Sequence, residues 1–348
     1  YMGSKGVAHL VLGSDFSGDF DLNNASFWLE GENSGDLLGS SVAFAGDSDG
    51  DGLSEVLVGS WANDDNGTFS GKVYLVPGAE FSNGARLSLA SEAVSWQGSS
   101  SGDRTGHSVA GVGDVDGDGL DDVAFGAHGY DSGGTLSYQG AVYVELSSAG
   151  FSGQNNSAAA SDQILTGEDA QHYAGYSLAP LGDVDEDGYD DFLVGASGYS
   201  SSTGGGGAVY LVWGSEMAGG VAPLDEVSLT LEGEMVGDRV SSSLASVGDV
   251  DRDGLPDFLV GAASVDVDHP DGGQAYLMLG SDVAPASSSM SLGVASFVFS
   301  AADSHELAGS AVSGGDFDGD GFSDLVVGAP SAGMHKPYRG HSYVVFAQ

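Results

Sequence analysis

This sequence predicts an all-β fold, a β-propeller of four-stranded antiparallel blades, and three observations carry the prediction. An aspartate-rich phrase begins at Asp47, Asp114, Asp183, Asp249 and Asp316, at intervals of 67, 69, 66 and 67 residues. Four strand-length segments recur in phase with it. The segment that follows each phrase is an unbroken apolar run, "VLVGS", "VAFGA", "FLVGA", "FLVGA" and "LVVGA", as expected of a strand covered on both faces. Sheets stacked face to face around an axis give their inner strands that environment. An open β-solenoid is the rival repeat architecture, and it favours much shorter periods.

Taken in order, the chain opens inside a unit. "GVAHLVLGS" reads as a third strand (Val7 to Leu12) and "SFWLEGE" as a fourth. Each later unit starts with a segment of small residues, such as "GHSVAGVGD", and enters the acidic loop. The apolar run comes next, then a dozen or so polar residues, then a third strand such as "GKVYLVPG" or "GAVYLVWG". The first four units close with a fourth strand: "AVSWQG", "QILTGE", "SLTLEGE" and "SFVFSA". The last supplies strands one to three, for 21 strands in all. The chain thus divides into an N-terminal half blade, 1–34, and repeats at about 35–101, 102–170, 171–236, 237–303 and 304–348, forming a single propeller domain. If the N-terminal fourth strand completed the last blade, five blades would close and the strand at Val7 to Leu12 would be left over. A ring of six or seven needs strands that this sequence does not contain.

Composition narrows the function. The 51 acidic residues against 8 Lys and Arg give a formal net charge of −43, which argues against nucleic acid and anionic membrane surfaces as partners. It suits cation binding and solubility in salty water. With no Cys there is neither a disulfide frame nor a thiolate site, and a cysteine-free extracellular protein is more natural for a bacterium than for an animal. No apolar run reaches the roughly 18 residues of a membrane span, so no membrane insertion is expected. The opening "YMGSKGVAHL" lacks the apolar core of a signal peptide, so the chain reads as mature or as excised from something longer.

The phrases align as "DSDGDGLSE", "DVDGDGLDD", "DVDEDGYDD", "DVDRDGLPD" and "DFDGDGFSD". Acids stand at positions one, three, five and nine, and Gly always at six. Carboxylates at alternating positions of a tight loop converge on one point, glycine permits the sharp turn, and position seven can offer a backbone carbonyl. Such an all-oxygen cage selects Ca²⁺. Two carboxylates about 4 Å apart repel by roughly 1 kcal/mol in water and about 4 kcal/mol at an effective dielectric near 20. The five loops hold 23 of the 51 acids, so empty cages would destabilise the fold. An EF-hand needs Glu at position twelve; here that position is Val58, Phe125, Val194, Val260 and Val327, each inside a predicted strand.

At this point the units resemble FG-GAP repeats, the blade of the integrin α-subunit propeller. The Phe-Gly of that name appears as Leu38-Gly39, Thr105-Gly106, Ala174-Gly175 and Ala308-Gly309, and is lost at Val240-Ser241. The Gly-Ala-Pro triplet survives once, at Gly328-Ala329-Pro330. The resemblance covers almost the whole chain. It implies about five Ca²⁺, one per loop between strands one and two. The ligands carried over by position are Asp47, Asp49, Asp51, Glu55 and the Leu53 carbonyl; Asp114, Asp116, Asp118, Asp122 and the Leu120 carbonyl; and Asp183, Asp185, Asp187, Asp191 and the Tyr189 carbonyl. The fourth and fifth sets are Asp249, Asp251, Asp253, Asp257 and the Leu255 carbonyl, and Asp316, Asp318, Asp320, Asp324 and the Phe322 carbonyl. Glu55 departs from Asp and Arg252 sits within the fourth loop, so those two sites are expected to be weaker.

Partner recognition is expected on the face opposite the calcium loops. Trp61, Tyr130 and Tyr199 share one position just after strand two, and packing between neighbouring blades is the competing account. His269 and Tyr338 lie in the corresponding loops of the last two units. The partner is a protein or a glycan, and the setting extracellular or at the cell surface. "GSSSG" at Gly98 to Gly102 matches a hydrolase motif, but that motif needs a strand before it and a helix after, whereas here it joins two strands. Asn24, Asn66 and Asn155 head N-x-S/T sequences, relevant only in a eukaryotic secretory route. The chain therefore reads as a non-enzymatic, calcium-stabilised module of adhesion or protein interaction. A lectin-like propeller and an accessory domain of a larger secreted enzyme are the alternatives.

Overall fold

A computed structural model describes residues 5–13, 21–82, 86–133, 137–147, 151, 156–200, 206–235, 237–266, 270–283, 289–332 and 340–347. His269, Tyr338 and Asn155 lie outside the described residues. The described residues are all-β apart from short 3₁₀ turns and two four-residue helices, Leu89–Glu92 and Gly280–Val283.

Each aspartate phrase joins an antiparallel pair. Strands one and two are Ser41–Gly46 and Glu55–Ser60 in the first blade, Ser108–Gly113 and Asp122–Ala127 in the second, and Ala174–Gly182 and Asp191–Ala196 in the third. They are Val240–Gly248 and Asp257–Ala262 in the fourth, and Ala311–Gly315 and Asp324–Ala329 in the fifth. Strand three follows at Lys72–Val76, Ala141–Glu145, Ala208–Val212, Gln274–Met278 and His341–Val345. Strand four is Val94–Gln97, Gln163–Thr166, Ser228–Glu232 and Phe297–Ser300. Within each blade strands one to four pair antiparallel in sequence order.

The apolar run of strand two is buried along its whole length in the first four blades. Its side chains alternate between the two faces, so each blade packs on both neighbours and the core lies between blades. Phe125 of the second blade joins Leu57 and Val73 of the first; Phe192 of the third joins Val142 and Val144 of the second; Phe258 of the fourth joins Leu193 and Val209 of the third. Each of these phenylalanines is fully buried, worth roughly 1.5–3 kcal/mol relative to exposure.

The glycine of the run has a steric cause. A Cβ on Gly126 would stand 2.0 Å from the Gly175 carbonyl of the next blade, and one on Gly59 2.1 Å from that of Gly106. Those same carbonyls accept the hydroxyls of Ser108 at 2.7 Å and Ser41 at 2.8 Å. The repeat's two glycine signatures are thus halves of one inter-blade contact. Where the fourth blade replaces the first glycine by Ser241, φ is +68°, the side chain is buried, and the strand bulges between Val240 and Ser243.

A fifth strand, beyond the four expected per unit, edges four of the sheets. Arg86–Ser88 pairs parallel with Phe27–Glu30, Asn156–Ser157 with Val94–Gln97, Gly220–Pro223 with Gln163–Thr166, and Met290–Ser291 with Ser228–Glu232. Each comes from the connection between strands three and four of one blade and latches the outer edge of the blade before it. These segments are only two to four residues long, too short to give a periodic signal.

The N-terminal strands, Val7–Leu10 and Phe27–Glu30, pair with each other and with Arg86–Ser88. The last sheet holds three strands, and among the described residues His341–Val345 pairs only with strand two of its own blade. The fastening of Phe27–Glu30 onto the last blade is therefore not the pairing found. The reason is local: "VAHL" is present to pair with it, in a four-residue register that seats Phe27 and Leu29 in the core.

Candidate functional site

The second acidic loop shows how backbone and carboxylates shape one another. Asp114 accepts the amides of Asp118 (3.0 Å) and Gly119 (2.8 Å), Asp116 accepts that of Asp118 (3.1 Å), and Asp118 accepts that of Leu120 (3.0 Å). This chain of Asx-type turns folds the loop over its acidic side chains. Gly119 takes φ +93°, and the position-six glycines of the other loops lie between +85° and +100°, a conformation that costs L-residues energy.

Position nine is different in kind. Asp122, Asp191, Asp257 and Asp324 are fully buried. Asp122 accepts the Val115 amide at 3.0 Å, the Ser147 amide at 2.8 Å and the Ser147 hydroxyl at 3.1 Å. It ties the loop to the end of strand three. Burial pushes its carboxyl up to about 6, that of Asp191 to about 7 and that of Asp257 to about 6. Glu55 fills the same place with a longer stem, accepting Ser48 N and Oγ at 2.7 Å each and Gly78 N at 3.2 Å.

Oxygens of positions one, three and nine converge within 4.8 Å of one another in the first four loops: Asp47, Asp49 and Glu55; Asp114, Asp116 and Asp122; Asp183, Asp185 and Asp191; Asp249, Asp251 and Asp257. In the fifth loop the converging residues are Asp316, Asp318 and Asp320. Position five stands outside these groups in the first four loops, where Asp51, Asp118, Asp187 and Asp253 each accept the amide of position seven. Asp47 Oδ1 is buried and has no hydrogen-bond partner, an anionic oxygen that a cation would satisfy. With an all-oxygen donor set around it, the site fits a hard divalent ion.

Arg252 does not turn into its own loop. Its guanidinium lies 3.3 Å from the centre of the Phe322 ring and donates to the Gly321 carbonyl at 3.4 Å, so it bridges to the fifth loop. The eighth residue, assigned no role from sequence, links neighbouring loops. Asp121 Oδ2 accepts the Asp47 amide and Asp190 Oδ2 that of Asp114. This residue breaks the alternation of acids at positions one, three and five and faces the preceding blade.

Strand two leaves each acidic loop and ends at the opposite face, where Trp61, Tyr130 and Tyr199 follow it. Their environments differ. Tyr199 is 7% exposed, with its ring against His172 (4.8 Å) and Tyr210 (6.1 Å). Tyr130 packs on the core edge-on to Tyr143 at 6.3 Å. Trp61 stacks with Phe69 at 5.7 Å and lies 5.8 Å from the Arg104 guanidinium. A cavity of about 620 Å³ opens on this face across the second, third and fourth blades, lined by Arg104, His128, Tyr173, Tyr176, Tyr199 and Arg239 among others. Of the three aromatics, only Tyr199 lines it. No helix among the described residues is long and apolar enough to cross a membrane.

Residues 105–144, 174–212, 242–278 and 308–345 match the family described as FG-GAP repeat. Over 232 residues, 64% of this chain, the sequence is 34% identical to integrin alpha-PS2 of Drosophila melanogaster, of which the match covers 15%. It is 37% identical over 168 residues to phosphatidylinositol-glycan-specific phospholipase D of Rattus norvegicus, covering 45% of this chain and 19% of the relative. Human integrin alpha-IIb is 35% identical over 161 residues, 45% of this chain and 14% of the relative. The matches thus span less than a quarter of these relatives' lengths.

Proposed function

Because this is an FG-GAP repeat chain homologous to integrin alpha subunits, we propose that it is a non-enzymatic, calcium-binding β-propeller for adhesion or protein interaction outside the cell or at its surface. The buried, unpartnered Oδ1 of Asp47 within the converging carboxylates of the first loop is the observation that carries the calcium reading. Positions one, three, five and nine of each loop, with the position-seven carbonyl, are the proposed ligands. When bound, the ion supplies positive charge that offsets carboxylate repulsion. The chain's own residues do the rest: position nine holds the loop to strand three, and the glycine at six lets the loop close. Five divalent ions would leave a formal charge of roughly −33 from the −43 of the bare chain, so the loaded surface stays acidic, which favours solubility.

The face opposite the loops is the proposed recognition face. Similarity to a phospholipase D specific for phosphatidylinositol-glycan favours a second reading, in which the propeller is an accessory domain of a larger enzyme. The test of the calcium reading is elemental analysis of the protein dialysed against calcium, wild type beside Asp118→Ala. About five ions per chain, falling by one in the variant, is the expected result; fewer than one ion per chain in the wild type overturns it.

A further inference from the structure

Arg104 and Arg239 stand out in a chain with 8 basic and 51 acidic residues. Lys72 and Arg86 each hold a carboxylate, at 2.8 Å and 2.6 Å. By contrast, no carboxylate of the described residues lies within 4.0 Å of either Arg104 or Arg239, and both line the 620 Å³ cavity. They occupy the same register in their blades, one residue before strand one's Thr105-Gly106 or Val240-Ser241 pair. The backbone there is left-handed in every blade: φ is +56° at Leu37, +58° at Arg104, +55° at Tyr173, +51° at Arg239 and +56° at Leu307. The conformation belongs to the blade, so only the side chain varies, and three adjacent blades place Arg, Tyr and Arg around one cavity.

His128 adds a second, independent observation. It is 4% exposed and lines the same cavity. Arg104 donates to its Nε2 at 3.0 Å, and a guanidinium has no lone pair to accept with, so the imidazole proton sits on Nδ1. That Nδ1 is buried and has no partner. A desolvated donor without an acceptor is a costly arrangement, and a ligand that turned the ring toward the cavity would give it an acceptor.

We propose that this cavity binds an acidic sugar residue, with Arg104 and Arg239 holding its anionic group, Tyr173 and Tyr176 offering ring faces and hydroxyls, and Tyr199, whose hydroxyl donates to Glu232 at 3.5 Å, forming part of the wall. The volume is that of a small-molecule site. Among the described residues no Leu, Ile, Val, Met or Phe lines the cavity, so those residues give an apolar peptide anchor little to bury against, while Ser, Gly, Tyr and Arg supply the hydrogen bonds that a sugar requires. The chain's negative charge does not forbid this, because repulsion from distant carboxylates is screened beyond about 8 Å at physiological ionic strength. A single charged sugar on an otherwise neutral glycan fits better than a polyanion. The inference rests on the reading of this face as the recognition face.

The test is calorimetric or NMR titration of the calcium-loaded chain with methyl glucuronide, glucose 6-sulfate, methyl glucoside and a capped Gly-Asp-Gly peptide. Tighter binding of the glucuronide or the sulfate than of the glucoside is expected, and which of the two wins tells carboxylate from sulfate. Arg104→Gln and Arg239→Gln should each weaken that binding by about 10-fold, as for loss of a charged hydrogen bond. Arg239 is exposed, so its variant keeps the test valid if the Arg104 variant misfolds. Equal binding of the glucoside, binding of the peptide as tight as that of the sugar acid, or no effect of either variant overturns the proposal. Calcium content of the same samples separates the two readings: full calcium with no sugar binding refutes this site alone.

Discussion

Asp121 Oδ2 accepts the backbone amide of Asp47 at 2.7 Å, while the Asp121 amide donates to the Asp47 carbonyl at 3.3 Å. The second acidic loop thereby grips the first residue of the loop before it. Asp190 does the same to Asp114, with both distances 3.0 Å. Position eight of the fourth loop is Pro256, which has no amide to donate, and that of the fifth is Ser323. Loops one to three are therefore coupled through position eight, whereas loops four and five meet through Arg252, which donates to the Gly321 carbonyl.

Asp121→Ala should consequently weaken calcium at the first loop although Asp121 is not among its proposed ligands. Loss of a charged hydrogen bond amounts to about 1.5 kcal/mol or more, roughly a tenfold change in affinity. Pro256→Ala should leave the third loop unchanged. Calcium titration of both variants decides the matter; identical behaviour would mean that the loops act alone.

Calcium removal is expected to lower the melting temperature. A ligand bound only by the folded state adds about 2.7 kcal/mol per site at a hundredfold excess over its dissociation constant. Melting curves at graded free calcium should rise together with occupancy. A chelator that leaves the curve unmoved speaks against the calcium reading.

Lys72 is 1% exposed and holds Glu32 of the N-terminal half blade at 2.8 Å and Asp65 of the first blade at 3.2 Å. Glu32 and Asp65 are partly exposed, at 19% and 30%, so solvent takes up part of the roughly 3–5 kcal/mol that removing one partner of a fully buried pair would cost. Lys72→Ala should destabilise the fold by less than that, about 1–3 kcal/mol in a denaturant titration, and adding Glu32→Gln should recover part of the loss. Additive losses would show that the pair carries no coupling.

Burial pushes the Glu145 carboxyl up to about 7, against an opposing hydrogen bond from Ser161 at 2.6 Å. The folded chain then holds this proton more tightly than the unfolded one. Its contribution to stability is complete below the unfolded value of about 4.3 and is lost as pH rises toward 7. Glu145→Gln should remove that part of the slope between pH 4 and 7, measured by unfolding at fixed calcium. An unchanged slope would place the effect in other carboxylates.

The sequence alone determined the repeat, the order of strands within a blade and the composition of the acidic loops. Its signals are local: a period near 67 residues, a five-residue apolar run, and acids at alternating positions of a turn. "VAFGA" suits a strand covered on both faces, and it is buried from Asp122 to Ala127. Tertiary structure alone decided what depends on two blades meeting. The parallel latch at Gly220–Pro223 shows no periodicity and exists because the edge of Gln163–Thr166 offers it hydrogen bonds. Tyr130 and Tyr199 share one repeat position, yet only Tyr199 reaches the cavity. Arg104 and Arg239 are 135 residues apart in sequence and share a cavity because the blades stack about an axis. Contacts of that range leave no mark on local pattern, since they are fixed by the packing of whole sheets rather than by the conformational preferences of the residues that make them.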